Sequence, residues 1–268
     1  ENDPAAVRRL NQLTGPFILR RMKSEVLKEL PPKTENVYRI ELEEEQRKLY
    51  LAAVVDAREK LRAAKPEDKM AVFAVLMRLR EICCDPRLIA DNWTGGSAKL
   101  DACIELVTSA VESGHRILLF SQFTSMLELL AKRLDTEGVS HFTLQGSTPK
   151  PVRAELVRRF NAGEASVFLI SLRAGGTGLN LTAADIVIHY DPWWNVAAQN
   201  QATDRAYRIG QRNPVQVYRL IAQDTIEEKI VELQQAKQSL ADTVTGGADG
   251  AILSMNPEQL LQLLGEEA

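Results

Sequence analysis

The chain has 268 residues, 45% hydrophobic and 26% charged, with 33 Lys and Arg against 36 Asp and Glu for a net charge of -3. That composition suits one large or two small globular domains with a sizeable core, and the slight acidity excludes a polycation that binds nucleic acid through its overall charge, so any such binding must be local. No run of about 18 apolar residues and no basic start followed by a short apolar stretch occurs, so neither a membrane span, a membrane partner nor a signal peptide is expected, and the protein should be intracellular, in cytoplasm, nucleoid or nucleus.

In chain order, residues 1 to 36 are basic and proline-bearing, with PFILRRMKSEVLKELPPKTE closing on Pro31 and Pro32, a composition that suits a docking connector. The opening Glu1 reads like the middle of something, so a piece of a longer polypeptide is expected. VYRIEL, residues 37 to 42, alternates like a short strand. Two helical patterns follow, Glu43 to about Lys65 and Glu67 to Cys84, bounded by Pro66 and by Asp85 before Pro86; they predict a helical hairpin. Three cysteines, including the adjacent Cys83 and Cys84, are too few for a disulfide framework and lack a second pair for zinc, so buried thiols and no metal site are expected.

A helix capped by Ser97 runs to Gly114 with Leu100, Ile104, Val107 and Val111 on one face. Strands and helices then alternate: RILLFS, HFTLQ, VFLIS, IVIHY and VQVYRLIA are continuous apolar runs that predict a parallel sheet covered on both faces. Asn195 reads as the cap of a helix from Val196 to Ile209, ended by Gly210. A last helix opens on a capping box of Asp224 and Glu227, carries Ile226, Ile230, Leu233 and Leu240, and stops at Gly246 and Gly247.

Ligands of open parallel sheets bind at the carboxyl ends of the strands. Three loops there stand out. LRAGGTGLNLTAAD after VFLIS carries Gly175, Gly176 and Gly178, which free backbone amides for phosphate oxygens or simply make a tight turn. Ser121 and Gln122 end one strand; GSTPKPVR places Ser147 and a candidate helix cap, Thr148, after another. On the helix from Val196, Ala198, Ala202, Ala206 and Ile209 share one face, while Gln201, Arg205 and Arg208 share a second. Two guanidinium forks on one ridge suit a polyphosphate, and the same spacing equally fits a solvated face with an Asp204–Arg208 pair. The phosphate loop GxxxxGK[ST] is absent, which disfavours a self-contained nucleotide hydrolase.

The run SLRAGGTGLNLTAADIVIHYDPWWNVAAQNQATDRAYRIGQ resembles the last two motor motifs of Swi/Snf-type ATP-dependent DNA translocases of helicase superfamily two. ILLFSQF and LQGSTPKPVRAELVRRFN are similar to the family's earlier second-lobe motifs, and residues 16 to 35 to the connector between its two RecA-like lobes. The resemblance implies an α/β RecA-like lobe (97–222) with a parallel sheet flanked by helices, preceded by an interlobe connector (1–36) and a helical protrusion (37–96), and followed by a C-terminal brace helix and tail (223–268). It implies arginine fingers at Arg205 and Arg208, with Gln201 opening the same motif. It further implies nucleotide coupling through Gly176, Gly178 and Asn180, and double-stranded DNA contact through Ser121, Gln122, Ser147, Thr148, Arg173, Gly175 and Trp194, with Trp193 anchoring the loop in the core. Tyr207 and Cys84 depart from the usual pattern. ATP with Mg would be bound mainly by a first lobe absent from this chain, which alone should not hydrolyse ATP; that lobe, duplex DNA and DNA-bound proteins are the expected partners. The alternative is a non-catalytic nucleic-acid-binding module of the same fold.

Overall fold

Each of the central strands is a run of apolar residues without a polar interruption, and such a run can be satisfied only where both faces of a sheet are covered. A computed structural model describes residues 30–65, 67–172, 174, 178–241 and 255–265 and realises this requirement in one parallel six-stranded sheet of order β1-β6-β5-β2-β4-β3. The strands are β1 (Lys33–Ile40), β2 (Ile117–Ser121), β3 (His141–Leu144), β4 (Val167–Ser171), β5 (Ile186–His189) and β6 (Val215–Ala222). Every residue of β2, β4 and β5 is buried.

Successive side chains point to opposite faces, and two cores result. Ile117 and Leu119 face α3 (Ala98–Glu112) and α4 (Thr124–Thr136), meeting Leu100, Ile104, Val107, Leu127 and Leu130. Leu118 and Phe120 face the other way, toward Phe160 of α5 (Lys150–Asn161) and Ala202 of α6 (Val196–Thr203). A third core lies in the helical hairpin of α1 (Glu44–Ala63) and α2 (Lys69–Cys84), where Leu61, Leu76 and Leu79 pack with Ile226 and Ile230 of α7 (Ile226–Ala241) and Leu260 of α8 (Pro257–Leu263). Among the described residues no helix is long and apolar enough to cross a membrane.

Several local expectations are corrected. The first strand begins at Lys33 rather than Val37 and pairs with β6 from Lys33↔Val215 to Ile40↔Ala222, so the boundary expected between residues 36 and 37 falls inside a strand of the main sheet. The hydroxyl of Ser97 does not cap α3 but donates to the Cys84 carbonyl at 3.1 Å. The Asp224–Glu227 capping box does not form: Thr225 Oγ1 accepts from Glu227 N at 3.2 Å, and the Glu227 carboxylate turns inward to Lys99 and to the Ala222 amide. Most of the expected connector (1–29), Pro66, and the helix stop at Gly246 and Gly247 lie outside the described residues.

The Lys99–Glu227 pair ties α3 to α7 with both side chains fully buried. Removing one partner strands the other charge in a low-dielectric site, which costs about 3–5 kcal/mol. Lys99→Met should therefore lower the unfolding free energy of the chain by roughly that amount in urea denaturation; a change below about 1 kcal/mol would mean that Glu227 finds water once Lys99 is gone.

Candidate functional site

An open cleft of about 380 Å³ is lined by Gly178, Leu179, Asn180, Gln201, Asp204, Arg205, Arg208 and Ile209. Gly178 to Asn180 come from the loop after β4; the others come from α6 and the turns that follow it. Asn195 starts α6 by accepting from Ala198 N at 2.7 Å, as its sequence position predicts. The far end differs from the expected straight helix to Ile209. The α-helix stops at Thr203, whose carbonyl accepts from both Ala206 N and Tyr207 N, and tight turns continue through Arg208 N→Ala206 O and Gln211 N→Arg208 O.

The cause is a side chain beyond the helix. Gln211 is buried, donates to Ala184 O at 2.7 Å and to Ala206 O at 3.2 Å, and accepts from the amides of Arg212 and Asn213. Leu181 N donates to the Arg205 carbonyl at 3.1 Å, pinning the turn to the loop after β4. The two arginines therefore sit on consecutive turns instead of one ridge, and Ile209 is 72% exposed rather than packed with Ala202 and Ala206.

Their environments differ. Arg205 is 4% exposed, and burial first, then the neighbouring Arg208 charge, lower its pKa from the ordinary arginine range, with Asp204 pulling it back. Guanidinium stays charged under any such shift. Arg208 and Gln201 are exposed at the mouth, and Arg208 Nη1 reaches the Leu179 carbonyl at 3.4 Å. Asn180 is exposed, its carbonyl accepting from Asn161 Nδ2 at 2.8 Å. A buried cation beside an exposed one, facing an accessible glycine backbone, is chemistry suited to a polyanion. Those residues fit the phosphate end of a nucleotide. Among the described residues no group of three His, Cys, Asp or Glu side chains could hold a metal ion, and the thiols of Cys83, Cys84 and Cys103 are buried, burial pushing that of Cys103 up to about 12.

The residues expected at DNA divide. Arg173, Gly175 and Gly176 lie outside the described residues. Ser147 is exposed on the loop after β3. Thr148 caps its own turn rather than α5, Oγ1 accepting from Gln145 N at 3.0 Å, while Pro149 is the residue before the helix. Ser121 is fully buried and its hydroxyl donates to Asp191 Oδ1 at 2.6 Å, which holds the end of β2 to the segment after β5. Gln122 is half-buried and its amide donates to the same carboxylate at 3.2 Å. Trp193 and Trp194 are both half-buried; Trp194 packs against the hairpin core, its ring 6.1 Å from that of Phe73 and 4.4 Å from the Arg80 guanidinium. Sequence reasoning missed Arg153, which donates to the carbonyls of Thr148, Gly146 and Ala174 at 2.9, 2.9 and 3.3 Å and so joins the loop after β3 to the loop after β4. The signal available was a cation near the start of a helix, where the dipole disfavours it.

Residues 98–210 match the family described as Helicase conserved C-terminal domain, and residues 1–88 match the SNF2-related domain. The chain is also similar to the C-terminal domain of a Sulfolobus solfataricus SWI2/SNF2 ATPase, with a TM-score of 0.72 and 27% identity over 88% of this chain and 100% of that one. The chain belongs to the Swi/Snf-type, superfamily-two helicase-like proteins as a C-terminal RecA-like lobe. A second solved structure, the SWI2/SNF2 ATPase core of the same organism in complex with dsDNA, matches with a TM-score of 0.74 and 31% identity, covering 100% of this chain and 58% of that one. Among curated relatives, the mouse SWI/SNF-related matrix-associated actin-dependent regulator of chromatin subfamily A member 1 is 39% identical over 255 residues, 90% of this chain and 24% of that protein. The chain spans about a quarter of the length of the curated relatives it matches.

Within this lobe His189 fastens the end of α6 to β5. It is buried, its Nε2 lies 2.9 Å from Thr203 Oγ1, and its ring stacks on Phe120 at 5.6 Å. Burial, then the charges of Arg219 and Lys33, lower its pKa to about 3. An unfolded histidine titrates near 6.5, so the unfolded state takes up a proton that the folded state refuses. The stabilising contribution is complete above about pH 6.5 and is lost as pH falls toward 3, with a slope approaching about 1.4 kcal/mol per unit. His189→Gln should flatten the pH dependence of unfolding between about 6 and 4; equal slopes for the two proteins would contradict a neutral buried imidazole.

Proposed function

We propose that this lobe is the second half of a DNA-dependent ATPase motor that translocates on double-stranded DNA and remodels protein–DNA complexes. The observation that carries the reading is the convergence of Gly178, Asn180, Gln201, Arg205 and Arg208 on one cleft. ATP bound there supplies the phosphoanhydride whose hydrolysis drives movement. Arg205 and Arg208 act as fingers on its terminal phosphates, Gln201 orients polar groups at the mouth, and the loop of Gly178 and Asn180 links nucleotide to DNA. The triphosphate and its Mg ion are held mainly by a first RecA-like lobe.

Physical chemistry favours this over a simple DNA-binding module. A guanidinium withdrawn from water interacts more strongly with charge developing on a phosphoryl group than an exposed one does, and it needs no reorganisation during reaction. A module that grips the DNA backbone gains nothing by burying an arginine, because phosphate contacts on duplex DNA are made at the surface. At 4% exposure Arg205 fits the first role and not the second. The DNA-facing groups belong to the loop after β3, with exposed Ser147 beside Thr148, and to the loops it is joined to through Arg153.

In the intact protein, Arg205→Ala and Arg208→Ala should each lower ATP turnover by roughly 10³- to 10⁵-fold, the range for supplied arginine fingers, while DNA affinity in a filter or anisotropy assay changes little. Arg205→Lys should also fail, since an ammonium lacks the planar fork. Hydrolysis near the unmodified rate in either alanine variant would remove both residues from the reaction. The isolated chain should release no phosphate from ATP above the blank, with or without duplex DNA; turnover that persists through repurification would refute the need for a first lobe.

A further inference from the structure

Arg80 of α2 is fully buried, the largest such side chain among the described residues, and its polar contacts reach beyond the hairpin that carries it. Nη2 donates to Asp191 Oδ2 at 3.2 Å and to the Pro192 carbonyl at 2.5 Å. The guanidinium lies 4.4 Å from the Trp194 ring centroid and 5.6 Å from that of Phe123. One side chain thus holds three of the four residues between the end of the Ile186–Tyr190 run and Asn195, the cap of α6. Asp191 in turn accepts from Ser121 Oγ and from Gln122 N, at the end of β2. Phe73, seven residues before Arg80 on the same helix, meets the Trp194 ring at 6.1 Å.

For stability alone this is a poor arrangement. Nε and Nη1 of Arg80 are buried without a hydrogen-bond partner, and a buried guanidinium with donors unsatisfied costs more than an apolar side chain of similar size. What the arrangement achieves is placement. The 191–194 segment leads directly into α6, whose end turns into Arg205 and Arg208, and the hairpin grips it together with the end of β2, Gln199 of α6 and Gln234 of α7.

We propose that Arg80 is a positioning residue for the motor reaction, clamping the Asp191–Trp194 segment so that movement of the α1–α2 hairpin or of the segment is transmitted to the arginine turn. The inference rests on the functional reading above. Arg80 touches neither nucleotide nor DNA; it fixes the segment that connects the groups which do. Arg80→Lys keeps a cation beside Asp191 but lacks the planar face on Trp194 and the fork that reaches both Asp191 and Pro192 O. Phe73→Leu loosens the same indole from the same helix without stranding a buried charge.

The test uses the intact protein and measures ATP turnover without DNA and at saturating duplex DNA, with KM for ATP and a thermal melt for each variant. The ratio of the two rates is independent of how much enzyme is folded, so a purely structural role leaves it unchanged. Arg80→Lys should reduce the stimulation ratio by roughly 10- to 100-fold, as small displacements of reacting groups do, with KM and the DNA-free rate per folded molecule little altered. Phe73→Leu should reduce it in the same direction by less. Ratios equal to that of the unmodified protein in both variants would overturn the proposal. If Arg80→Lys does not fold, Phe73→Leu decides alone: a reduced ratio supports the clamp and an unchanged one refutes it. Absence of DNA-stimulated hydrolysis in the unmodified protein would instead bring down the functional reading, and the clamp with it.

Discussion

The carboxylate of Asp191 lies wholly inside the protein at the carboxyl end of the sheet, where it accepts from Arg80, the Ser121 hydroxyl and the Gln122 amide. Burial raises its pKa, and the Arg80 charge and the Ser121 hydrogen bond pull it back. A charge in that position is tolerable only when it is fully coordinated, so β2, the segment after β5 and the hairpin must arrive together. That requirement fixes where α6 begins. The arginine turn inherits its place from that start and from Gln211 and Leu181 at its end.

A second buried charge pair, close enough for both partners to act on the Asp191 carboxyl, repeats the logic. Lys99 and Glu227 join α3 to α7, while Tyr190 Oη and Ser97 Oγ both donate to the Cys84 carbonyl at the end of α2 and Tyr50 Oη accepts from Ile226 N. The hairpin and the terminal helix are therefore held to the sheet by directional polar contacts as well as by apolar packing. Directional contacts resist sliding in a way that an oily interface does not.

The central strands were legible because each is a short apolar run between helices, a pattern set by local composition. The paired arginines were legible from spacing. What the sequence concealed depends on partners far along the chain. β1 is exposed at seven of its eight positions and carries no strand pattern before Val37, yet β6 recruits it by pairing. Glu227 reads as half of a capping box until Lys99, 128 positions earlier, is seen to claim it. Helix propensity carries α6 through Ala206 on paper; the Gln211 side chain and the Leu181 amide end it at Thr203. The packing of Trp194 depends on Arg80, more than a hundred residues away, and no periodicity reports such a contact.

The account stands on a single geometric claim, that the buried Arg205 and the exposed Arg208 together face the terminal phosphate of a nucleotide. The most direct measurement is a structure of the intact protein with a non-hydrolysable ATP analogue and duplex DNA. The account predicts guanidinium nitrogens of both arginines within about 2.7–3.2 Å of terminal phosphate oxygens, across a cleft closed by the first lobe. A nucleotide bound elsewhere, with Arg205 still enclosed by its own lobe and Arg208 open to solvent, would contradict it.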